Sequence, residues 1–126
     1  MDFQLSKTHK LLLQALRQFA EKELRPKAAY RDQNREYPHD TFEKFFDIGF
    51  MSFHLPIEEG GSGGDMLGYA LAMETFATVD TPTTSAVSGH NEVGVGIIRK
   101  WGTEYQKEKY LPQLTGKTAR KIGGFC

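Results

Sequence analysis

The sequence predicts an all-α fold, a bundle of five helices, on three observations. Apolar residues recur at steps of three and four in one segment after another. Proline, glycine and capping residues stand where those segments begin and end. The connections between segments are short, as in helical bundles.

The first helix starts at Ser6, whose hydroxyl can cap a free backbone N–H, and is expected to end before Pro26. Leu12, Leu16, Phe19, Ala20 and Leu24 form its apolar stripe. Pro38 opens the second helix, because a missing N–H costs nothing in the first turn. Phe42, Phe45, Phe46 and Phe50 supply its buried face, and Gly49 is a left-handed stop. Asp65 caps the third, with Met66, Tyr69, Ala70, Met73, Phe76 and Ala77 as its stripe. Asp80, Thr81 and Pro82 open a fourth helix that ends at Gly102. Thr103 and Gln106 have capping-box spacing for a fifth, which carries Tyr110, Leu111 and Leu114. Pro112 inside it predicts a kink or an early end. The tail KIGGFC has no helical pattern; Ile122 and Phe125 suit the start of a strand.

A chain of 126 residues is large enough for one core. Its sixteen basic and sixteen acidic residues cancel, which argues against nucleic acid or an anionic membrane as a partner. No apolar run approaches a membrane span. An amphipathic helix so close to Met1 leaves no room for a secretory leader. The lone cysteine, Cys126, allows no internal disulfide and no multi-cysteine metal site. A reduced, cytoplasmic setting is expected.

The chemistry-like motifs mostly fail on spacing. EEGGSGGDMLGY, Glu58 to Tyr69, clusters four glycines before a helix but has no following Lys for a P-loop. With Gly61 and Gly63 as the first two glycines of a dinucleotide fingerprint, the third falls on Met66. Glu58, Glu59 and Asp65 would also repel phosphate, so the cluster reads as a corner between helices. Gly116-Lys117-Thr118 fails too, because Leu111 stands where the first P-loop glycine belongs. His9, His39, His54 and His90 show no paired metal spacing, and no metal site is expected. Ser62, Ser85 and Ser88 have no nucleophile-elbow context, and Glu92 reads as solvated. No catalytic constellation is complete.

The fourth helix differs from the rest. Ser85, Ala86, Gly89, His90, Val93, Gly94 and Gly96 are mostly small, and helix-interior glycine costs roughly 1 kcal/mol relative to alanine. Either the helix packs closely on a neighbour, or Ser85, Gly89 and Val93, at steps of four, line a slot for a slender apolar ligand.

Three segments in order carry a resemblance. MDFQLSKTHKLLLQALRQFAEKELRP resembles the opening helix of acyl-CoA dehydrogenases. YPHDTFEKFFDIGFMSFHLPIEEGGSGGD looks like that family's second helix and its Leu-Pro-x-Glu-x-Gly-Gly-x-Gly turn. WGTEYQKEKYLPQLTGK is similar to its Gly-Thr/Ser-x-x-Gln-Lys-x-x-x-Leu-Pro-x-Leu segment. The resemblance implies the family's N-terminal domain, a five-to-six-helix orthogonal bundle over residues 1–120. Residues 121–126 would then begin the central β-domain. In the family a glutamate takes a proton from Cα of an acyl-CoA thioester while Cβ gives a hydride to FAD. That glutamate has no counterpart here, so no catalytic residue is assigned.

By the same resemblance, Phe125 and Cys126 begin the family's flavin-contacting Phe-x-Leu-Thr-Glu-Pro segment. Ser85, Ala86, Gly89, His90 and Val93 match the wall of the acyl chain, where the polar His90 and Glu92 argue against a plain long saturated chain. FAD and acyl-CoA are the implied cofactor and substrate of the parent protein, and an electron-transfer flavoprotein its implied partner. The chain alone is expected to be inactive, to retain no FAD, and to self-associate through an uncovered apolar face that includes the fourth helix. The alternatives are a stand-alone helical interaction module, or the same domain of a related acyl-CoA oxidase or reductase.

Overall fold

A computed structural model of the chain describes residues 4–124, and these are arranged as five helical rods with no strand among them. α1 runs from Lys7–Phe19 through a π-helical turn at Ala20–Leu24 into Arg25–Asn34. α2 is His39–Asp47 and α3 is Met66–Ala77. α4 is continuous over Thr81–Ser88, a π-helical stretch at Gly89–Gly96, and Ile97–Trp101. α5 is Glu104–Leu114, and short 3-10 turns lie at Phe50–Ser52 and Ile57–Glu59.

The local start signals act as expected. The hydroxyl of Ser6 accepts from the His9 N–H at 3.1 Å. Asp65 accepts from the Gly68 N–H at 2.7 Å, and Thr103 with Gln106 closes a reciprocal capping box. His9 lies 3.0 Å from Asp65, so the cap of α3 is also tied to the first turn of α1. Gly49 is left-handed at φ 71, directly after α2.

α1 does not stop before Pro26. Its π turn bonds the Arg25 N–H to the Ala20 carbonyl, and Pro26 falls in the first turn of the renewed α segment, where its absent N–H is not missed. The rod instead ends at Arg35, which is left-handed at φ 53. Beyond the π turn Arg31 is buried and donates to Thr41 at 2.7 Å. Asp40 pairs with both Arg31 and Lys27, which fastens α1 to α2.

The core is aromatic. Phe45 lies 5.3 Å from Phe76 and Phe50 lies 5.1 Å from Phe76, both edge-on, with Phe42, Tyr69, Leu16 and Leu24 around them. The expected stripe of α3 holds at Tyr69 and Phe76 but not at Met66 and Ala70, which are exposed. Gly68, Ala72 and Thr75 turn inward instead. The sequence MLGYALAMETFA is apolar nearly all round, so its period selects no single face, and contacts with α1 and α4 decide the orientation.

Leu55, Val95, Leu111 and Leu114 form a second, smaller core that joins α4 to α5. α5 runs only two residues past Pro112. The chain then doubles back, with the Thr118 N–H on the Pro112 carbonyl and the Lys121 N–H on the Gln113 carbonyl. Residues 119–124 are not a strand, and Phe125 lies outside the described residues.

The glycine cluster is a closed corner. Its amides are consumed by the chain's own carbonyls: Gly61 by Pro56, Ser62 by Ser52, Gly63 by Leu55 and Gly64 by Phe53. A Cβ on Gly64 would run into the Phe53 ring. Nothing remains there to cradle a phosphate.

Candidate functional site

α4 is anchored at its start by Asp80, which accepts from both the N–H and the hydroxyl of Thr83, at 3.0 and 2.7 Å. From this cap the helix presents two unlike faces. Val87, His90, Asn91, Gly94 and Val95 are buried. Ser85 and Glu92 are exposed, while Gly89 and Val93 are half-buried. A Cβ built on Gly89 would meet no neighbouring element among the described residues within 4 Å, so the helix is open at this position. Ala86 stands between the faces and packs partly on the aromatic core. The two readings of the glycines therefore divide by position, with close packing at Gly94 and open space at Gly89.

The sequence grouped His90 with Ser85, Gly89 and Val93, and the structure separates it from them. Its side chain is fully buried, with Nε2 3.0 Å from the Met51 carbonyl and Nδ1 2.9 Å from the Gly123 N–H. Phe46 stands edge-on to it at 6.0 Å. A histidine one position after Gly89 lies about 100° around the helix, which is enough to move it from the outer face to the inner one. His90 therefore does not line the outer face.

Sequence reasoning missed the polar residues beneath this face. Asn91 donates to the Phe50 carbonyl at 3.1 Å, while its Oδ1 is buried without a partner. The Tyr69 hydroxyl is buried beside Ser88 and Asn91 without closing a hydrogen bond to either. Burial, with the Glu92 carboxylate nearby, pushes that phenol up to about 12. At neutral pH it remains protonated and cannot act as a base. An asparagine inside an apolar helix face was the available signal for this cluster.

Arg120, also missed, straps the tail to α2. It reaches Glu43 and Asp47 at 2.7 Å each, with its guanidinium over the Phe46 ring at 5.8 Å.

Of the expected flavin contacts, Phe125 and Cys126 lie outside the described residues. The glycine corner does not fit a flavin phosphate, because its amides are spent on the chain's own carbonyls and Glu58 and Glu59 stand beside it. Among the described residues no group of three His, Cys, Asp or Glu side chains could hold a metal ion, and no helix is long and apolar enough to cross a membrane.

The family model for the acyl-CoA dehydrogenase N-terminal domain matches residues 6–118. The chain belongs to the acyl-CoA dehydrogenase family. It is 37% identical over 125 residues to the short-chain specific acyl-CoA dehydrogenase of Clostridium acetobutylicum, covering 99% of this chain and 32% of that protein. It is 39% identical over 126 residues to the acryloyl-CoA reductase (NADH) of Anaerotignum propionicum, covering 100% and 31%. The solved butyryl-CoA dehydrogenase of Megasphaera elsdenii superposes with a TM-score of 0.83 at 32% identity, over 94% of this chain and 32% of that one. The chain thus spans about a third of the length of the acyl-CoA dehydrogenase relatives it matches, over their helical N-terminal domain.

Proposed function

We propose that this domain is the N-terminal part of a flavin-dependent enzyme that places a double bond between Cα and Cβ of an acyl-CoA thioester. In this reading Ser85, Ala86, Gly89 and Val93 wall the acyl chain. The observation that carries it is the uncovered small-residue face of α4, with empty space beside Gly89, in a domain of this family. Such a face suits a slender apolar chain, because a ligand methylene can occupy the volume a larger side chain would fill. The proton-abstracting base and the flavin contacts come from outside the described residues, so this chain contributes shape and water exclusion, not chemistry.

Two consequences test the reading. The purified 126-residue chain passed through gel filtration with FAD is expected to emerge without flavin and without acyl-CoA oxidation. Retained stoichiometric FAD that bleaches on acyl-CoA would overturn the assignment of the chemistry to other parts. In the parent enzyme, Gly89→Phe is expected to raise KM for acyl-CoA at least tenfold while leaving the flavin spectrum unchanged. An unchanged KM would remove α4 from the substrate wall.

The direction of electron flow is a separate matter. An electron-transfer flavoprotein is the acceptor that the dehydrogenase reading names, whereas the likeness to the Anaerotignum enzyme favours a reductase working from NADH. Assaying the parent with enoyl-CoA plus NADH, against acyl-CoA plus an electron-transfer flavoprotein, separates the two.

A further inference from the structure

We propose that His90 is a positioning residue that bolts the outgoing chain onto α4 at Gly123 and so fixes the direction in which the polypeptide leaves the helical domain. Three observations converge. The first is the pair of hydrogen bonds at its ring. The Gly123 amide can only donate, so Nδ1 must accept and carry no proton. The Met51 carbonyl can only accept, so Nε2 must carry the hydrogen. Both partners therefore demand one species, the neutral Nε2–H tautomer.

The second observation is the crossing itself. An added Cβ on Gly94 would come within 2.9 Å of the Gly123 Cα, and one on Gly123 within 2.9 Å of the Gly94 Cα. Backbone lies against backbone there, one turn along α4 from the imidazole. Only glycine at both positions permits that approach.

The third is a second fastening three residues upstream. Arg120 grips Glu43 and Asp47 on α2, and the neighbouring Ile122 packs against the aromatic core. Residues 120 to 123 are thus held at an exposed ionic point and a buried histidine. An irregular segment with no ladder of its own takes its path from these points, with the Lys121 N–H on the Gln113 carbonyl between them.

What this does for a flavin rests on the reading above, in which the residues after Gly124 lead to the cofactor. The anchor itself does not rest on that reading, so the test uses only this chain. In nitrogen NMR of the wild type, the His90 Nδ1 is expected to resonate as an unprotonated, pyridine-type nitrogen and Nε2 as a protonated, pyrrole-type one. The Gly123 amide is expected to exchange with solvent at least about tenfold faster in His90→Ala than in the wild type, the scale of one lost hydrogen bond. His90→Asn places a carbonyl oxygen near the position of Nδ1 and is expected to recover most of that protection. Gly94→Ala pushes the tail away while leaving the imidazole in place, and is expected to expose the Gly123 amide as well. The opposite tautomer, or a Gly123 amide as fast in the wild type as in an unstructured peptide, would overturn the proposal. So would equal Gly123 protection in wild type and Gly94→Ala, a result that needs no His90 variant to fold.

Discussion

Gly94 and Gly123 meet without side chains between them, each Cα 2.9 Å from where the other's Cβ would stand. Gly89, five residues earlier in the same helix, faces no neighbouring element among the described residues within 4 Å. The same substitution should therefore have opposite effects at the two sites. Gly94→Ala gains helix propensity but forces two backbones apart, for a net loss of about 1–3 kcal/mol. Gly89→Ala has only the gain, up to about 1 kcal/mol. Urea denaturation followed by far-UV circular dichroism reads both, and a common sign would contradict this account of α4.

The packing of Phe45 against Phe19, Phe42, Phe50 and Phe76 makes it the hub of the core. Phe45→Ala is expected to cost about 3–5 kcal/mol, a large share of what a domain this size possesses. Near-UV circular dichroism should lose its aromatic signal in the variant, and a cooperative melt at the wild-type midpoint would count against this core.

Acidification should weaken the fold through His90. Burial holds its imidazole below the ordinary value of 6.5, opposed by the Met51 carbonyl that accepts from Nε2 and, less, by the nearby Leu114 backbone. Phe46 faces it edge-on and the Gly123 amide closes the remaining side; no charged side chain contributes to the shift. Because the folded-state pKa lies below the unfolded one, the unfolded chain takes up the proton first as pH falls. The contribution of His90 is complete above 6.5 and declines below it until the folded-state value is reached. Between about pH 7.5 and about pH 5.5 the wild type should lose more stability than His90→Asn. Parallel losses in the two would remove His90 as the source.

Caps offer a fourth measurement. Asp65→Ala removes the acceptor for the Gly68 N–H and the partner of His9 together, and is expected to lower the midpoint of denaturation. The Gly68 N–H, and then His9, hold the Asp65 carboxyl below its ordinary range. This stabilisation should persist above that range and disappear as pH falls through the lowered value. A denaturation series in acid with Asp65→Asn as the reference tests it.

Self-association is expected to involve the far end of α4. Ile97 and Trp101 are 47% and 74% exposed, with Tyr110 of α5 beside them. Sedimentation of the isolated chain at rising concentration should show dimers or larger species, and Trp101→Glu should return it to monomer. A wild type that stays monomeric throughout would refute this.

What was legible in the sequence was local. Ser6, Asp65 and Thr103 cap their helices because a cap needs only its own next three residues. Phe42, Phe45, Phe46 and Phe50 are buried because their spacing leaves one apolar face. The illegible parts depend on distant partners. Nothing near His90 indicates that its ring will meet a glycine amide 33 residues on. Nothing near Pro26 announces that a widened turn will carry α1 past it, and the nearly uniform apolarity of α3 gives its face to the neighbours to choose.

The surplus residue in the π turn of α1 divides one rod into two angular phases. Up to and within the turn, Leu16, Ala20 and Leu24 point into hydrocarbon; after it, Arg31 is turned inward against Asp40 and Thr41. The widened turn absorbs the extra residue, so excising one residue between Ala20 and Leu24 would close it to α pitch and leave Arg31 facing inward. An excision between Leu24 and Arg31, with no widened turn to take it up, would instead rotate everything downstream by about 100°. The guanidinium would then swing toward water, and the first two rods would lose their ionic clasp.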